Sequence, residues 1–489
     1  MKKLKNILNG IRIKDSYCSE DTMIRGIETN SKKVKKGYLF IAVKGSFFDG
    51  NDYIAEAISN GAAAILTQEK PKNVQYVDHL VVVENMHSAL AKVLNNFYPS
   101  LVKANIIGVT GTNGKTTVTF LLKSILEKSN YKCGIIGTLG WKISNGRINE
   151  MRNTTPGAVE LAKIINAMLI KKVDYIIMEV SSHALSQNRV KHLNFKAAIF
   201  TNLSQDHLDY HKNMNNYLES KKQLFKKIRN GGLAILNIDD ASYGSFRQTT
   251  KSRCISYGLS KNADCSASDL TLSIKGSAFT VNHFKKLIRI ESKLSGVHNV
   301  YNILAAFSCS LELKCKIDVI KSSLYDIKNV PGRLEKLKGK NGEYIYIDYA
   351  HTPDALKNVT SLLSTVKKAE SKLICLFGCG GDRDKKKRPK MGKIAVAACD
   401  IVIVSSDNPR SEDAGDIIND IKKGIKRSEL KKCYFIKDRL RAIRKAIKLA
   451  NAGDVVLIAG KGHEKYQVIK DRIIPFSDYN VARKILNEK

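Results

Sequence analysis

The sequence predicts an α/β fold in three domains: a mixed α/β domain at the N-terminus, followed by two domains built on mostly parallel sheets. The length of 489 residues is too great for one ordinary hydrophobic core and suggests about three. Short apolar stretches alternate with helical patterns, which is typical of parallel strands joined by helices. Several of these stretches end in glycine-rich or polar loops, where ligands bind to such sheets.

The N-terminal domain is predicted to span residues 1–102 and to mix short strands with helices. Apolar runs at 37–45 and 62–68 predict strands. The segment 54–61 predicts a helix that ends at Gly61, since glycine often follows the last turn of a helix. The domain should therefore be a small mixed α/β unit.

The central domain, predicted at 103–331, begins with the apolar strand NIIGVTG and a glycine-rich turn. A helix follows, because its apolar residues recur at helical spacing. These residues are Val118, Leu121, Leu122, Ile125 and Leu126. Further apolar strands are predicted at 133–137, 173–180, 196–202 and 232–238. Helical segments lie between most of them, so a mostly parallel sheet is expected.

The C-terminal domain is predicted at 332–489, after a boundary near Pro331. Its apolar strands each run into a polar or glycine-rich loop, and helical stretches such as LRAIRKAIKLA separate them. The strands and loops are EYIYIDYAH, SKLICLFGCGG, DIVIVSSDNPR and DVVLIAGKGHE. This pattern predicts a Rossmann-like sheet with ligands at the carboxyl ends of its strands.

Composition gives weaker indications. The formal net charge of +36 comes from lysines and arginines spread over the chain, and aromatic residues make up only 7%, so a nucleic-acid partner is not expected. The ten cysteines form no C-x-x-C pair, which indicates reduced thiols of a cytoplasmic protein. We find no signal peptide or apolar stretch long enough to span a membrane, and expect a monomer.

The strongest motif is GTNGKTT, between a predicted strand and a predicted helix. Glycines let backbone N–H groups approach phosphate oxygens, and the helix N-terminus attracts their charge. Lys115 would contact the β- and γ-phosphates, and the Thr116 hydroxyl would bind Mg²⁺. Val109 replaces the first glycine of the common phosphate loop, which favours a shorter variant. The predicted loop consists of Gly111, Thr112, Asn113, Gly114, Lys115, Thr116 and Thr117.

GTNGKTT resembles the ATP loop of the Mur ligase and folylpolyglutamate synthetase superfamily, which joins an amino acid to a carboxylate with ATP. Motifs resembling this family occur in family order along nearly the whole chain: EVSSHAL, DHLDYH, YAHTPDAL, GCGGDRD, DNPR and GKGHE. The resemblance implies a ligase of bacterial peptidoglycan synthesis with ATP as co-substrate and two Mg²⁺ ions.

The resemblance also implies the metal ligands. Glu179 ends an apolar strand, and His207 lies in TNLSQDHLDYH; alternatives are a surface carboxylate and a solvated loop. Lys221 shares a predicted helical face with Tyr217, Leu224, Phe225 and Ile228. Such a lysine commonly extends its ammonium into water. In the family, the corresponding lysine is carbamylated, which converts a cation into an oxygen ligand for Mg²⁺.

The remaining ATP contacts are implied on both sides of the predicted boundary at Pro331. Asn299 and Asn302 lie three residues apart at the start of a helical pattern, where Asn299 could instead cap the helix. Arg333 and Asp348 resemble ATP contacts that the family's third domain supplies. Closure of that domain over ATP would explain this division.

Contacts to the acceptor, UDP-MurNAc-L-Ala-D-Glu, are implied in the first half of the chain, although Asn30-Ser31-Lys32 replaces the family's usual Asp-Ser-Arg. For each residue alone, a turn near a strand is an alternative. The nucleotide-sugar contacts would be Ser31, Ser46, Phe47 and Phe48, and the dipeptide contacts Asn153, Thr154, Thr155, Ser181, Gln187 and Arg189.

DNPR accompanies meso-diaminopimelate as the added amino acid in this family. Arg383 and Arg410 could bind the carboxylate that lysine lacks, and Gly460 and Glu464 could meet the distal ammonium. The alternative is a turn with a surface arginine. The implied set is Arg383, Asp407, Asn408, Pro409, Arg410, Gly460 and Glu464.

These motifs lead to one predicted reaction and two rivals. The D-glutamyl carboxylate would form an acyl phosphate, with Lys115, His207 and Lys221 at the reacting groups, and diaminopimelate would then displace phosphate. One rival is another ligase of the superfamily, such as a folylpolyglutamate synthetase. The other is a basic nucleic-acid-binding ATPase.

Overall fold

The computed structural model describes residues 1–45, 48–70, 78–273, 275–327 and 330–488. Within it the chain forms two compact units. The first consists of residues 1–108, 131–196 and 227–230, and the second of 109–130, 197–226 and the chain from Gly231 onward. The three domain ranges predicted from sequence stay predictions.

Short strands and helices alternate through the first hundred residues. In chain order they are β1 (Lys2–Lys3), α1 (Leu4–Leu8), β2 (Ile13–Ser16), β3 (Met23–Ile24), β4 (Gly26–Glu28), β5 (Tyr38–Ile41), α2 (Ile54–Ser59), β6 (Ala62–Thr67), β7 (Leu80–Val83) and α3 (Met86–Phe97). The predicted strands at 37–45 and 62–68 are thus present in shortened form, and the predicted helix ends just before Gly61.

The middle of the chain begins as a strand–loop–helix. Its elements are β8 (Ile106–Thr110), α4 (Lys115–Lys128), β9 (Cys133–Gly137), β10 (Gly140–Ile143), α5 (Ala158–Ile170), β11 (Tyr175–Glu179), α6 (Ser182–Ser186), β12 (Phe195–Phe200), α7 (Leu208–His211), α8 (Met214–Lys222), β13 (Ile228–Asn237), α9 (Tyr243–Thr249), β14 (Arg253–Gly258), β15 (Cys265–Ser273), β16 (Gly276–His283), β17 (Lys286–Ser292), α10 (Val297–Glu312) and α11 (Ile317–Asp326).

The last third alternates strands with helices. It contains β18 (Glu335–Lys338), β19 (Tyr344–Asp348), α12 (Pro353–Val366), β20 (Leu373–Phe377), α13 (Lys387–Ala398), β21 (Ile401–Ser405), α14 (Ala414–Lys422), β22 (Cys433–Ile436), α15 (Arg439–Leu449), β23 (Val455–Ala459), β24 (Tyr466–Ile469), β25 (Arg472–Pro475) and α16 (Asp478–Glu488). All four strands predicted here are present, each ending where its polar loop begins.

The first unit contains a five-stranded sheet of order β2-β7-β6-β5-β4. Its strands pair in parallel except for β2 with β7. One face packs on an apolar cluster that includes Phe40, Ile54 and Ile65. In the same unit β9 pairs in parallel with β11 and antiparallel with β10. The mixed α/β character predicted for the N-terminus is therefore confirmed.

The second unit contains parallel and antiparallel strands. β14 pairs in parallel with β13 and β15, whereas β15, β16 and β17 form an antiparallel meander. Along β16 buried and half-buried residues alternate, as expected for a strand with one covered face. This meander was not predicted from the sequence, because its strands lack the continuous apolar runs of buried parallel strands.

A six-stranded sheet, also in the second unit, has the order β18-β19-β23-β20-β21-β22. All of its pairs are parallel except β18 with β19. Apolar clusters cover its two faces, one including Phe377 and Met391, the other Ile443 and Ile485. β19, β20, β21 and β23 therefore end at one edge of the sheet, where their polar loops come together.

Two local expectations need correction. The helical face predicted through Ile228 is shorter, because α8 ends at Lys222 and Ile228 begins β13. Asn299 does not cap its helix: Gly296 is the N-cap of α10, and Asn299 lies inside the first turn. Over the described part of the chain, no helix combines the length and apolar character needed to cross a membrane.

Candidate active site

The predicted phosphate loop connects β8 to α4 through two glycines in unusual positions. Gly114 is the N-cap of α4 with φ +86°, a left-handed conformation that glycine adopts at low cost. At Gly111 an added Cβ would lie 1.9 Å from the Thr201 hydroxyl oxygen, so this position has no room for a side chain. The N-terminus of a 14-residue helix, which attracts anions, therefore follows a tightly packed turn.

Residues that follow β12 hold this loop in shape. The amides of Thr112 and Asn113 donate to the backbone and side-chain oxygens of Asn202, at 2.8 and 2.9 Å. The Thr201 hydroxyl donates to the Asn113 carbonyl at 2.6 Å. Lys115 Nζ folds back to donate to the carbonyls of Gly111 and Thr112. The loop is thus ordered by the protein itself, and its lysine lies over the turn.

Lys221 is fully buried beside the same loop, with only 1% of its surface exposed. Its Nζ donates to the Gly111 carbonyl at 2.8 Å and lies 4.3 Å from the centre of the Tyr217 ring. Burial and the nearby Lys115 cation hold the pKa of Lys221 well below its usual value. The alternative of an ammonium extended into water is therefore wrong, and the neutral amine that reacts with CO₂ is favoured.

Asp206 and His207, the N-cap of the short helix α7, lie close to Lys221. His207 has a left-handed backbone (φ +56°), and its Nε2 lies 3.4 Å from the Asp206 carboxylate. Asp206 is itself buried and forms an ion pair with buried Lys387 at 3.2 Å. Burial opposes ionisation of Asp206, but the Lys387 and His207 charges outweigh it and hold its pKa well below the usual value.

Lys387 belongs to α13, so this ion pair connects two distant segments of the second unit. Gln205 adds a second link, donating to the Asp384 carboxylate at 2.9 Å. Lys387 keeps a raised pKa, since Asp206 outweighs the effect of burial. Removing one partner of such a pair leaves an uncompensated buried charge. The 205–207 loop is therefore held from the side of the six-stranded sheet.

Arg333 brings the chain after residue 330 to the phosphate loop. Its Nη2 lies 3.3 Å from the Thr116 hydroxyl, and its guanidinium stacks 4.8 Å from the centre of the Tyr349 ring. Asp348 is buried and accepts hydrogen bonds from the amides of Leu334 and Ala350. In α10, Asn302 donates to Asn299, which in turn donates to the Ser295 carbonyl. The structure thus places Arg333 beside the loop and gives Asp348 a backbone-ordering role.

Most residues predicted to contact the dipeptide form one hydrogen-bonded network in the first unit. Thr155 Oγ1 donates to the Glu179 carbonyl and accepts from the Ser181 amide. Arg189 donates to the Thr155 carbonyl and, through Nε and Nη2, to the Gln187 side chain. Thr154 joins through a contact between its hydroxyl and that of Thr138, and Asn153 is exposed next to it in the chain.

The Glu179 carboxylate ends β11 and is 1% exposed. The Thr138 amide and hydroxyl donate to its two oxygens at 2.9 and 3.0 Å. The alternative of a surface carboxylate is therefore wrong.

The residues predicted to contact the nucleotide sugar are less closely grouped. Ser31 is buried in the first unit, where its hydroxyl donates to Glu56 and its carbonyl accepts from Asn60. Phe48 is 71% exposed. Ser46 and Phe47 lie outside the described residues. A role for these positions stays a prediction.

The loops after β20 and β21 are joined at the edge of the six-stranded sheet. Gly381 donates to the Asn408 carbonyl at 2.9 Å, and Arg410 Nη1 returns a hydrogen bond to the Gly381 carbonyl at 2.7 Å. A Cβ at Gly381 would lie 1.9 Å from the Pro409 carbonyl oxygen. This close approach explains Gly381 of GCGGDRD and brings the loops that carry Arg383 and Arg410 together.

The backbone of Arg410 is held in a fixed conformation by the neighbouring hairpin. Its backbone is left-handed (φ +52°), and its amide and carbonyl pair with Val468 and Lys470 of the β24–β25 hairpin. Burial and the nearby Arg383 charge lower the pKa of Arg410. The alternative of a turn with a surface arginine does not describe Arg410, which is half-buried. Two neighbouring guanidinium groups favour an anion between them.

A carboxylate cluster lies beside these arginines. Glu464 accepts from Asn408 Nδ2 and from the fully buried Lys461, both at 2.9 Å. Burial opposes ionisation of Asp407, but the Lys461 and Arg439 charges outweigh it and lower its pKa. At Gly460 a Cβ would lie 2.6 Å from the Asp407 carboxylate. The residues predicted to bind the added amino acid are therefore brought together, and positive and negative side chains lie next to each other.

Four residues of these sites were missed by sequence reasoning: Asp206, Lys387, Arg439 and Lys461. Three are cations with exposures of 4% or less, and their partners lie far away along the chain except for Glu464. Lys461 lies inside GKGHE and Asp206 inside DHLDYH, so their motifs were available as signals. Arg439 and Lys387 sit in lysine- and arginine-rich helices, where single cations look like solvent-exposed ones.

Comparison with family models accounts for most of the chain. The Mur ligase middle domain matches residues 109–310. The Mur ligase glutamate ligase domain matches 332–462, and the catalytic domain of the Mur ligase family matches 23–98.

Curated relatives match over the full length. A UDP-N-acetylmuramoyl-L-alanyl-D-glutamate–2,6-diaminopimelate ligase of Syntrophomonas wolfei is 42% identical, covering 100% of this chain and 99% of the relative. A protein of the same name from Clostridium botulinum is 41% identical over 95% of each chain.

Solved structures agree in fold. The structure of another ligase of that name matches with a TM-score of 0.68 at 30% identity, covering 100% of this chain and 99% of the other. MurF ligase from Thermotoga maritima in complex with ADP gives a TM-score of 0.68 at 20% identity, covering 96% of this chain and 99% of the other. The predicted α/β fold is thereby confirmed.

Proposed function

Because the chain belongs to the Mur ligase family, we propose that it adds meso-diaminopimelate to the D-glutamyl carboxylate of UDP-MurNAc-L-Ala-D-Glu, with ATP. The reaction extends a precursor of bacterial peptidoglycan by an amide bond. The observation that carries the proposal is that Arg383 and Arg410 are neighbours and lie beside the Glu464 carboxylate.

The charges of these loops suit the second amino-acid head of diaminopimelate. The two guanidinium groups would bind its distal carboxylate, which lysine lacks, and Glu464 would meet its distal ammonium. Lysine would leave both arginines without an anion, and the cost should come mainly from half-buried Arg410, because Arg383 is exposed. The amino acid at these loops is therefore proposed to be the diacid rather than lysine.

ATP is proposed to bind at the loop 111–117, with its phosphates at the N-terminus of α4. The D-glutamyl carboxylate attacks the γ-phosphorus, ADP leaves, and an acyl phosphate forms. The amine of diaminopimelate then attacks the acyl carbon, and inorganic phosphate leaves. Lys115 neutralises charge that develops on phosphate oxygens, and Arg333, which contacts the Thr116 hydroxyl, adds a second positive charge beside the loop.

We propose that Mg²⁺ binds beside the phosphate loop, with a carbamate on Lys221 among its ligands. In the described part of the chain, no three His, Cys, Asp or Glu side chains are grouped to hold a metal ion. As an amine, Lys221 is a donor to the Gly111 carbonyl. As a carbamate, it would offer oxygens beside Thr116 and His207, and bound Mg²⁺ would supply positive charge to the phosphates. A metal-binding role for Glu179 stays a prediction.

An ADP-release assay with omitted substrates tests the proposal. ADP should appear only when ATP, UDP-MurNAc-L-Ala-D-Glu and meso-diaminopimelate are all present, and mass spectrometry should show the peptide longer by one diaminopimelate residue. A parallel reaction with tetrahydrofolate and glutamate tests the folylpolyglutamate alternative. Release of ADP in that reaction alone, or none with the muramoyl dipeptide, would contradict the proposed function.

A further inference from the structure

A buried ion pair contacts the starts of two loops, 406–410 and 459–464. They are called the amino-acid loops, because the added amino acid is proposed to bind there. Arg439, the first residue of α15, and Asp478, the first of α16, are each fully buried. Arg439 Nε and Nη2 donate to the two Asp478 oxygens at 2.8 and 2.7 Å. This paired geometry fixes the plane and direction of the guanidinium group.

The remaining donors of the same guanidinium group reach two backbone carbonyls. Nη1 donates to Ser406, just after β21, at 3.1 Å, and Nη2 donates to Ala459, the last residue of β23, at 3.0 Å. The loop after β21 continues into Asp407–Arg410, and the loop after β23 into Gly460–Glu464. One side chain therefore holds the starting points of both loops.

The sheet does not fix this spacing directly. β20 lies between β21 and β23, so their ends are separated by two strand spacings, about 10 Å. No ladder hydrogen bond connects strands that are not neighbours, and loops beyond strand ends are freer than the strands themselves. A side chain that bonds to both ends sets their separation where the sheet alone cannot.

The positive charge of Arg439 also acts on the carboxylates of the two loops. Its charge helps to keep buried Asp407 ionised, together with Lys461. Lys461 in turn contacts Asn408 and Glu464, one residue from each loop. The carboxylates that face the arginines Arg383 and Arg410 therefore depend on a cation beneath them.

We infer that Arg439, oriented by Asp478, is a positioning residue that fixes the separation of the 406–410 and 459–464 loops and so sets affinity for the amino acid. The inference rests on the proposed function, because it assigns the amino acid to these loops. Arg439 lies beneath the loops and would not touch the substrate. Its effect should therefore appear in binding of one substrate, with little change for the other two.

The double substitution Arg439→Met with Asp478→Leu tests this while removing both buried charges together. Replacing a whole buried ion pair by apolar residues often leaves stability nearly unchanged, whereas removing one partner does not. Arg439→Lys complements it, since the charge stays but the paired geometry is lost. The matched control is Arg444→Met with Glu488→Leu, an ion pair between the same helices that is 56% and 43% exposed.

The expected result is a selective change in KM. For both Arg439 variants, KM for meso-diaminopimelate should rise about tenfold, while KM for ATP and for the muramoyl dipeptide changes less than about twofold. The control should match wild type. If the double variant is folded and its KM for meso-diaminopimelate is unchanged, or if only kcat falls, the inference is overturned. The ion pair would then have a structural role only.

Hydrogen–deuterium exchange gives a second readout that needs no substrate. In the double variant, segments 406–410 and 459–464 should exchange faster together, while β20 keeps its protection. Unchanged exchange in both segments would also overturn the inference. If the wild-type enzyme does not use meso-diaminopimelate while the double variant still shows faster exchange in both segments, the proposed function is contradicted and the positioning role of Arg439 is preserved.

Discussion

The phosphate loop and the amino-acid loops of the second unit are built in different ways. The phosphate loop is held by its own backbone and by Thr201 and Asn202, within the turn itself. The amino-acid loops are held by buried ion pairs whose partners come from distant helices, such as Arg439–Asp478. The first region carries its structure in a local motif, whereas the second depends on long-range charge pairing.

A third region, around Lys221 and Asp206, combines the two modes. Lys221 contacts the phosphate loop directly, and Asp206 pairs with Lys387 of α13. Substitutions in the local region should therefore remove catalysis while the protein stays folded. Substitutions of buried ion-pair partners should reduce stability or change substrate affinity.

The largest effect is expected at Lys221. Lys221→Ala removes the group proposed to become a carbamate ligand, and the rate of ADP release should fall at least about 10³-fold. Lys222→Ala is the matched control, because Lys222 is the next residue but pairs with Glu219 near the surface. Near-wild-type activity of Lys221→Ala, or a mass of native wild type that lacks one added CO₂, would reject the carbamate.

Lys387→Met should have the next largest effect, on stability. Buried Asp206 would lose its partner, and breaking a buried ion pair costs about 3 kcal/mol or more. Chemical denaturation should show this loss, and Lys393→Ala, an exposed change on the same helix, should not. Equal unfolding midpoints for Lys387→Met and wild type would mean that the ion pair does not hold the 205–207 loop.

Arg410→Lys should reduce amino-acid discrimination. The planar group that bonds Gly381 would be replaced by a point charge, and kcat/KM for meso-diaminopimelate should fall about 10²-fold. The reaction with lysine, which we expect to be slow in the wild type, should change little, so the ratio of the two kcat/KM values reports the effect. An unchanged ratio would exclude Arg410 from recognition of the distal carboxylate.

The smallest effect is expected on the free energy of unfolding when the pH is lowered. Arg388 donates to both Glu412 oxygens and lowers the pKa of that carboxyl from 4.5 to about 2. A carboxyl with a depressed folded-state pKa adds stability above its unfolded value, and this is lost as pH falls towards about 2. Unfolding free energy should therefore drop across that window less steeply in Glu412→Gln than in wild type. Parallel curves would contradict this contribution.

Features that depend on local motifs could be predicted from the sequence, whereas features that depend on long-range ion pairs could not. GTNGKTT and the apolar strands predicted the loop, the four C-terminal strands and their polar ends, because these depend on local patterns. Lys221 could be identified only through family resemblance, as its burial depends on packing against Gly111. Arg439 and Lys387 escaped notice, since nothing local separates a buried cation from the many exposed ones in a chain of net charge +36.

The most direct test of the central claim is a competition between meso-diaminopimelate and lysine at equal concentration. With UDP-MurNAc-L-Ala-D-Glu and ATP supplied, product masses measured by mass spectrometry report which amino acid was joined. The arrangement of Arg383, Arg410 and Glu464 predicts product containing diaminopimelate almost exclusively. Comparable amounts of the lysine product, or no lengthened peptide at all, would contradict the assignment of these loops.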